Sequence, residues 1–242
     1  MQKNTDMENN MYSLKKTARL AGGLYLIWVI TGIYGMIYVP SQTIVAGNAV
    51  ATANKILSNE FIFRTGIIND LFSVTICIFL LFALYKLFEQ VNKHHALLMV
   101  ALFFVTIPVT FIMDGFSIAS LMIFKGEVLK TFELSQRQDF AMLFLKINNY
   151  GSLTLEMFWG LWLLPFGYLA YKSGFIPRLI GIFLILNGIA YIILSFVSLL
   201  FPDYQTIITQ FTMPFLILGE ISITLWLLIK GVKNNISTIE EQ

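Results

Sequence analysis

Histidine, cysteine and charge are what this chain of 242 residues has least of: two histidines, one cysteine and 12% charged residues. An intramembrane zinc hydrolase needs several histidines or acids around one metal, and a haem needs a ligand inside the apolar segments. The two histidines, His94 and His95, instead follow Lys93 in a short polar stretch, where neighbouring side chains on a helix point in different directions. A rhomboid-like serine protease lacks its buried histidine for the same reason. Cys77, alone in an apolar stretch, excludes an intrachain disulfide, a thiol redox pair and a cysteine-rich metal site. There is no DDxxD motif for magnesium pyrophosphate and no glycine-rich phosphate loop. No metal and no cofactor is therefore expected.

What the chain does have is apolar sequence. Hydrophobic residues make up 57% and the mean hydropathy is +0.75, whereas an ordinary soluble domain is about a quarter charged. Six apolar segments stand out, near Leu20 to Val39, Phe61 to Leu84, Leu97 to Phe124, Leu143 to Tyr171, Phe175 to Phe201 and Ile207 to Ile229. Each is long enough to cross a hydrocarbon core of about 30 Å, where the backbone must satisfy its own hydrogen bonds and so must be helical. The expected fold is all-α: a six-helix transmembrane bundle over residues 18–232, with a polar cytoplasmic segment at 1–17 and a cytoplasmic tail at 233–242. Lys15, Lys16 and Arg19 precede the first segment as in a secretory signal, but that segment is too long for a cleaved signal and reads as a span.

Six spans put both termini on one side. Ten basic residues fall there: Lys3, Lys15, Lys16, Arg19, Lys86, Lys93, Lys172, Arg178, Lys230 and Lys233. The other side has six, namely Lys55, Arg64, Lys125, Lys130, Arg137 and Lys146. The positive-inside rule then places both termini in the cytoplasm. The same distribution explains the net charge of +2 without a nucleic-acid partner. Membrane lipid is the expected surrounding.

Two outer loops are longer than tight connections require. Asn48 is placed to cap a short helix in which Ala49, Ala53, Ile56 and Leu57 share a face. The stretch Gly126 to Phe140 mixes Val128, Leu129, Phe132 and Leu134 with both signs of charge, and is expected to form a second amphipathic surface helix.

Four acids interrupt the spans: Asp70, Asp114, Glu156 and Glu220. At about 2.5 to 3.5 kcal/mol each on insertion scales, an ionised and unpaired set would cost about 10 kcal/mol. Each lies on a polar or small-residue stripe, so each is expected to face other helices. Span two carries Gly66, Asp70, Ser73 and Cys77 with Asn69 alongside; span three has Thr106, Thr110, Asp114 and Ser117; span four has Asn149, Ser152, Glu156, Gly160 and Gly167. Span five adds Asn187, Tyr191, Ser195 and Ser198, and span six Gln210, Glu220 and Thr224. A rise of 1.5 Å per residue puts Asp114 at about 10 Å from the outer end of its helix, Asp70 at about 14 Å and the two glutamates near about 20 Å.

Arg64 and Lys146, near outer ends, are the bases within reach, and two bases do not neutralise four acids. The remainder must be protonated, bound to a cation or ligand, or hydrogen-bonded to polar neighbours. Three readings follow. The acids tie helices together; or they form a ligand- or proton-binding site from Asp70, Asp114, Glu156 and Glu220 with Arg64 and Asn149; or two of them act as a catalytic carboxylate pair on a lipid. The leading reading is the second: a non-enzymatic protein binding or moving a small or lipid-like ligand. An accessory subunit with no ligand is the remaining class.

Several phrases act as a set: ARLAGGLYLIWVITGIYG, FRTGIINDL, FWGLWLLPFGYLAYKSGFIPRLIGIFLILNGIAY and GEISITLWLLIKGV. Together they resemble the domain-of-unknown-function family 4386, mostly bacterial six-span membrane proteins, from about Ala18 to Val232. The resemblance implies that topology, a bacterial inner membrane and no carried-over activity; Arg64, Asp70, Glu220 and Lys230 match its recurrent positions. In the turn YKSGFIPRLIG, Gly174 is expected to end one helix with positive φ and Pro177 to begin the next.

Overall fold

The computed structural model describes residues 2–232, so the tail expected at 233–242 lies outside the described residues. Those described are mainly helical, with no strand among them. Helix α1 (Gln2–Ile33) takes in most of the segment expected as a polar terminus and continues through a π-turn at Tyr34–Tyr38 into Val39–Thr43. Next come α2 (Ala49–Ser58), α3 (Glu60–Phe104), α4 (Thr106–Phe124), α5 (Leu134–Lys172), α6 (Arg178–Leu200) and α7 (Gln205–Leu225), which ends in a second π-turn at Trp226–Lys230.

Among the described residues five helical runs are long and apolar enough to cross a membrane, and the longest, Glu60–Phe124, counts 65 residues. That run is broken at Asn92, whose φ of −160° and ψ of 107° are extended. The Asn92 side chain accepts the His95 N–H at 3.0 Å, capping a new helix start. One of the five thus divides in two, giving six long rods. Phe79, Phe82, Phe196 and Phe211 are exposed along them, as residues facing acyl chains must be.

Two compact units share the chain. The first holds the described residues up to Leu26, Cys77–Val105 and those from Thr154 onward; the second holds Ile27–Ile76 and Thr106–Leu153.

In the first unit glycines let backbones touch. A Cβ on Gly160 would lie 2.5 Å from the Gly188 carbonyl oxygen, and one on Gly167 2.7 Å from that of Gly181, so α5 and α6 run antiparallel in one register. The Asn187 amide donates to the Leu216 carbonyl at 3.1 Å and ties α6 to α7. Gly22 of α1 meets the backbone of Leu227 and Leu228 in the second π-turn. Phe166 packs between Tyr25, Phe88 and Trp162. The α5–α6 turn forms as the sequence predicts, with Gly174 at φ +72° and Pro177 at the cap of α6.

In the second unit Asn48 caps α2 by accepting the Ala51 N–H at 2.9 Å. Ala53 and Ile56 of α2 enter a core with Phe63, Leu121 and Phe124, while Leu57 stays exposed. The other loop differs from expectation. Gly126 and Leu129 adopt φ of +70° and +52°, which no helix tolerates, so turns fill the stretch until α5 starts at Leu134. Lys125 anchors these turns through Glu127 at 3.1 Å and Glu60 at 3.2 Å. The same two carboxylates hold its ammonium above the usual lysine range.

Candidate functional site

The four acids fall two to each unit. Among the described residues no group of three or more His, Cys, Asp or Glu is placed to hold a metal ion.

Asp70 of α3 and Asp114 of α4 belong to the second unit, with their carboxyls within hydrogen-bonding reach of each other. Asp114 is only 6% exposed, and its Oδ2 is buried without a hydrogen-bond donor among the described residues. Asp70 is held by a seam between α1 and α3. Asn69 donates to the Thr31 carbonyl at 3.0 Å and to Asp70 Oδ1 at 3.4 Å; the Thr31 hydroxyl reaches Ser73 Oγ at 3.0 Å; and Tyr34 and Thr65 share a hydrogen bond of 2.7 Å. The π-turn brings Gly35 so close that a Cβ there would lie 2.8 Å from Asn69 Nδ2 and 3.0 Å from Asp70 Oδ1. A π-turn rotates the residues after it relative to an α-helix, and such turns recur at functional sites. Here it presents bare backbone to the carboxylate.

Arg64, expected as a counter-charge for this pair, lies on the surface with its Nε 2.7 Å from Glu60 Oε1. Asn149 is exposed. Its neighbour Asn148 is the residue that reaches inward, donating to the Met113 carbonyl at 2.8 Å and to Ser117 Oγ at 3.0 Å. A single residue is 100° of helix rotation, enough to exchange an inward for an outward position. Lys146 is exposed as well.

Glu156 of α5 and Glu220 of α7 belong to the first unit. Gly160 is one turn from Glu156 and Gly188 nearly one turn from Tyr191, so the glycine contact brings Glu156 and Tyr191 to the same level of the α5–α6 pair. Tyr191 lies within the electrostatic reach of both glutamates and packs edge-on against Trp159 at 6.0 Å. Glu220 also acts on Tyr25 and Cys77. Glu156 Oε2 is buried with no hydrogen-bond partner among the described residues, and so is Asn187 Oδ1. The sequence marks Tyr191 only as an uncharged stripe position; its place beside the glutamates, and that of Tyr25 near Glu220, depend on helix register.

The comparison with protein families matches the chain over residues 20–231 to one described as Domain of unknown function (DUF4386), the same family that the sequence phrases resemble. No curated protein and no solved structure matches.

Proposed function

The chain belongs to the Domain of unknown function (DUF4386) family, and on that premise we propose that it is a non-enzymatic, multi-pass protein of a bacterial inner membrane, crossing six times with both termini cytoplasmic. Its acid-lined interior binds or moves a small or lipid-like ligand that carries hydrogen-bond donors.

The observation behind the ligand is the bare Glu156 oxygen. An acid kept to tie helices together would spend its oxygens on donors from neighbouring helices, because an unsatisfied buried acceptor costs about 1 to 3 kcal/mol. Glu156 Oε2 has none among the described residues. A hydroxyl or ammonium group on a ligand supplies what the helices withhold. The orientation rests on the ten-to-six excess of basic residues toward the terminal side.

A lipid-modifying enzyme using paired carboxylates is the second reading. Acid–base chemistry across a bond needs room for that bond, about 5 Å or more between carboxyls in glycoside hydrolysis. Asp70 and Asp114 are in direct hydrogen-bonding reach, an arrangement suited to holding a proton and cramped for a substrate.

Native mass spectrometry of the protein released from mild detergent tests the ligand. The wild type is expected to carry a bound lipid or small molecule, and Glu156→Gln to lose most of it. A bare wild type, equal occupancy in the variant, or a co-purifying polypeptide in place of a ligand contradicts the reading.

A further inference from the structure

We propose that Asp70 and Asp114 form a proton-binding dyad, two carboxyls that hold a single proton between them inside the membrane. This deepens the reading above by naming the ion taken at the outer pair of acids.

Two observations carry it. The carboxyls face each other within hydrogen-bonding reach, and two carboxylates have no hydrogen to share unless one is protonated. Asp114, 6% exposed, keeps Oδ2 buried with no donor from any described residue. A proton seated between the pair supplies the missing hydrogen and leaves one negative charge where two would repel in a medium of low dielectric.

The surroundings offer no substitute. On α1 the groups facing the dyad are Thr31, Tyr34 and Gly35; Tyr34 is engaged by Thr65, and Thr31 by Ser73 and the Trp28 carbonyl. On α3 Asn69 gives Asp70 its one long hydrogen bond of 3.4 Å. On α4 the Thr110 hydroxyl is spent on the Thr106 carbonyl, and Ser117 accepts from Asn148 of α5. Arg64 is committed to Glu60. Among the described residues, the charged group acting on each aspartate is the other aspartate.

The role of Gly35 follows. With Asn69 Nδ2 2.8 Å and Asp70 Oδ1 3.0 Å from where its Cβ would stand, any side chain there displaces Asn69 and crowds the Asp70 carboxyl. The π-turn therefore leaves room for Asp70 and Asn69 on the α1 side only because residue 35 is glycine.

The test is infrared spectroscopy of the protein in lipid nanodiscs at neutral pH, reading the carbonyl stretch of protonated carboxyl groups. The wild type is expected to show a band that disappears in both Asp70→Asn and Asp114→Asn, because an asparagine amide then donates to the remaining carboxylate. Loss in one variant alone assigns the proton to one aspartate and overturns sharing. Halving in each means two protons, no change means none, and both overturn it too. Should the variants fail to fold, dicyclohexylcarbodiimide, an apolar reagent for protonated carboxyls, is applied to the wild type. Modification at Asp70 or Asp114, never both in one molecule and slowing as pH rises, is expected; absence of modification at both contradicts the dyad. A failed dyad with a ligand still bound in native mass spectrometry leaves the Glu156 reading standing.

Discussion

Gly160 of α5 and Gly188 of α6 meet backbone to backbone: a Cβ on Gly160 would stand 2.5 Å from the Gly188 carbonyl oxygen and 2.7 Å from Ile192 Cγ1. Real side chains do not approach so closely, so Gly160→Ala must part the two helices. Overpacking of this kind costs about 1 to 3 kcal/mol. Gly115 on α4 has nothing within 4 Å of its Cβ position, and Gly115→Ala is expected to be neutral or stabilising by up to about 1 kcal/mol. Cys77, 1% exposed, serves as reporter, since a thiol-reactive dye labels it when the helices separate on heating. The unfolding midpoint should fall for Gly160→Ala and hold for Gly115→Ala.

Adjacent asparagines should behave unlike each other. Asn148→Leu removes the amide bonds to Met113 and Ser117 between α5 and α4 and is expected to cost about 1 kcal/mol, within the range of interhelical hydrogen bonds in membranes. Asn149→Leu, at an exposed position, should shift stability by less than about 0.5 kcal/mol. The same thermal assay compares them; equal losses would mean that the α5 face is wrongly assigned.

At Asn92 a single side chain restarts a helix. Asn92→Ala deletes the cap on the His95 N–H and is expected to destabilise by about 1 kcal/mol, whereas Asn92→Asp keeps an acceptor there and should retain most of the stability.

The proposed topology makes a prediction at the same break. In a Cys77→Ser background, Glu127→Cys should react with a membrane-impermeant maleimide in intact cells, while His94→Cys and Ser173→Cys should react only after permeabilisation. Labelling of His94→Cys from outside would show that the break at Asn92 is not a cytoplasmic turn.

These elements also show where sequence is enough. The α5–α6 turn was readable because Gly174 and Pro177 act on their own backbone, and the α2 cap because Asn48 acts three residues away. The second surface helix failed on equally local grounds: Gly126 and Leu129 take left-handed φ, which charge and apolar periodicity do not register. The ends of the apolar segments were less legible: α3 runs on past Leu84 to Asn92 before its cap intervenes, whereas the segment Phe175 to Phe201 overruns α6 (Arg178–Leu200) at both ends. Asp114, 6% exposed, lies inward as its stripe implies, while Asp70, Glu156 and Glu220 are half-buried. That Asp70 meets Asp114, that Tyr191 stands near both glutamates, and that Asn148 replaces Asn149 depend on helix rotation and register, which arise only when the helices pack.

The central claim is that Glu156 lines a ligand site and does not merely tie helices. In the Cys77→Ser background, Glu156→Cys and Leu155→Cys place thiols on adjacent residues, the second of them 5% exposed in the packed core. A small hydrophilic methanethiosulfonate reagent applied from outside should modify the thiol at 156 and leave that at 155 untouched. If the thiol at 156 is as inert as its neighbour, the interior is closed and the account of a ligand site is wrong.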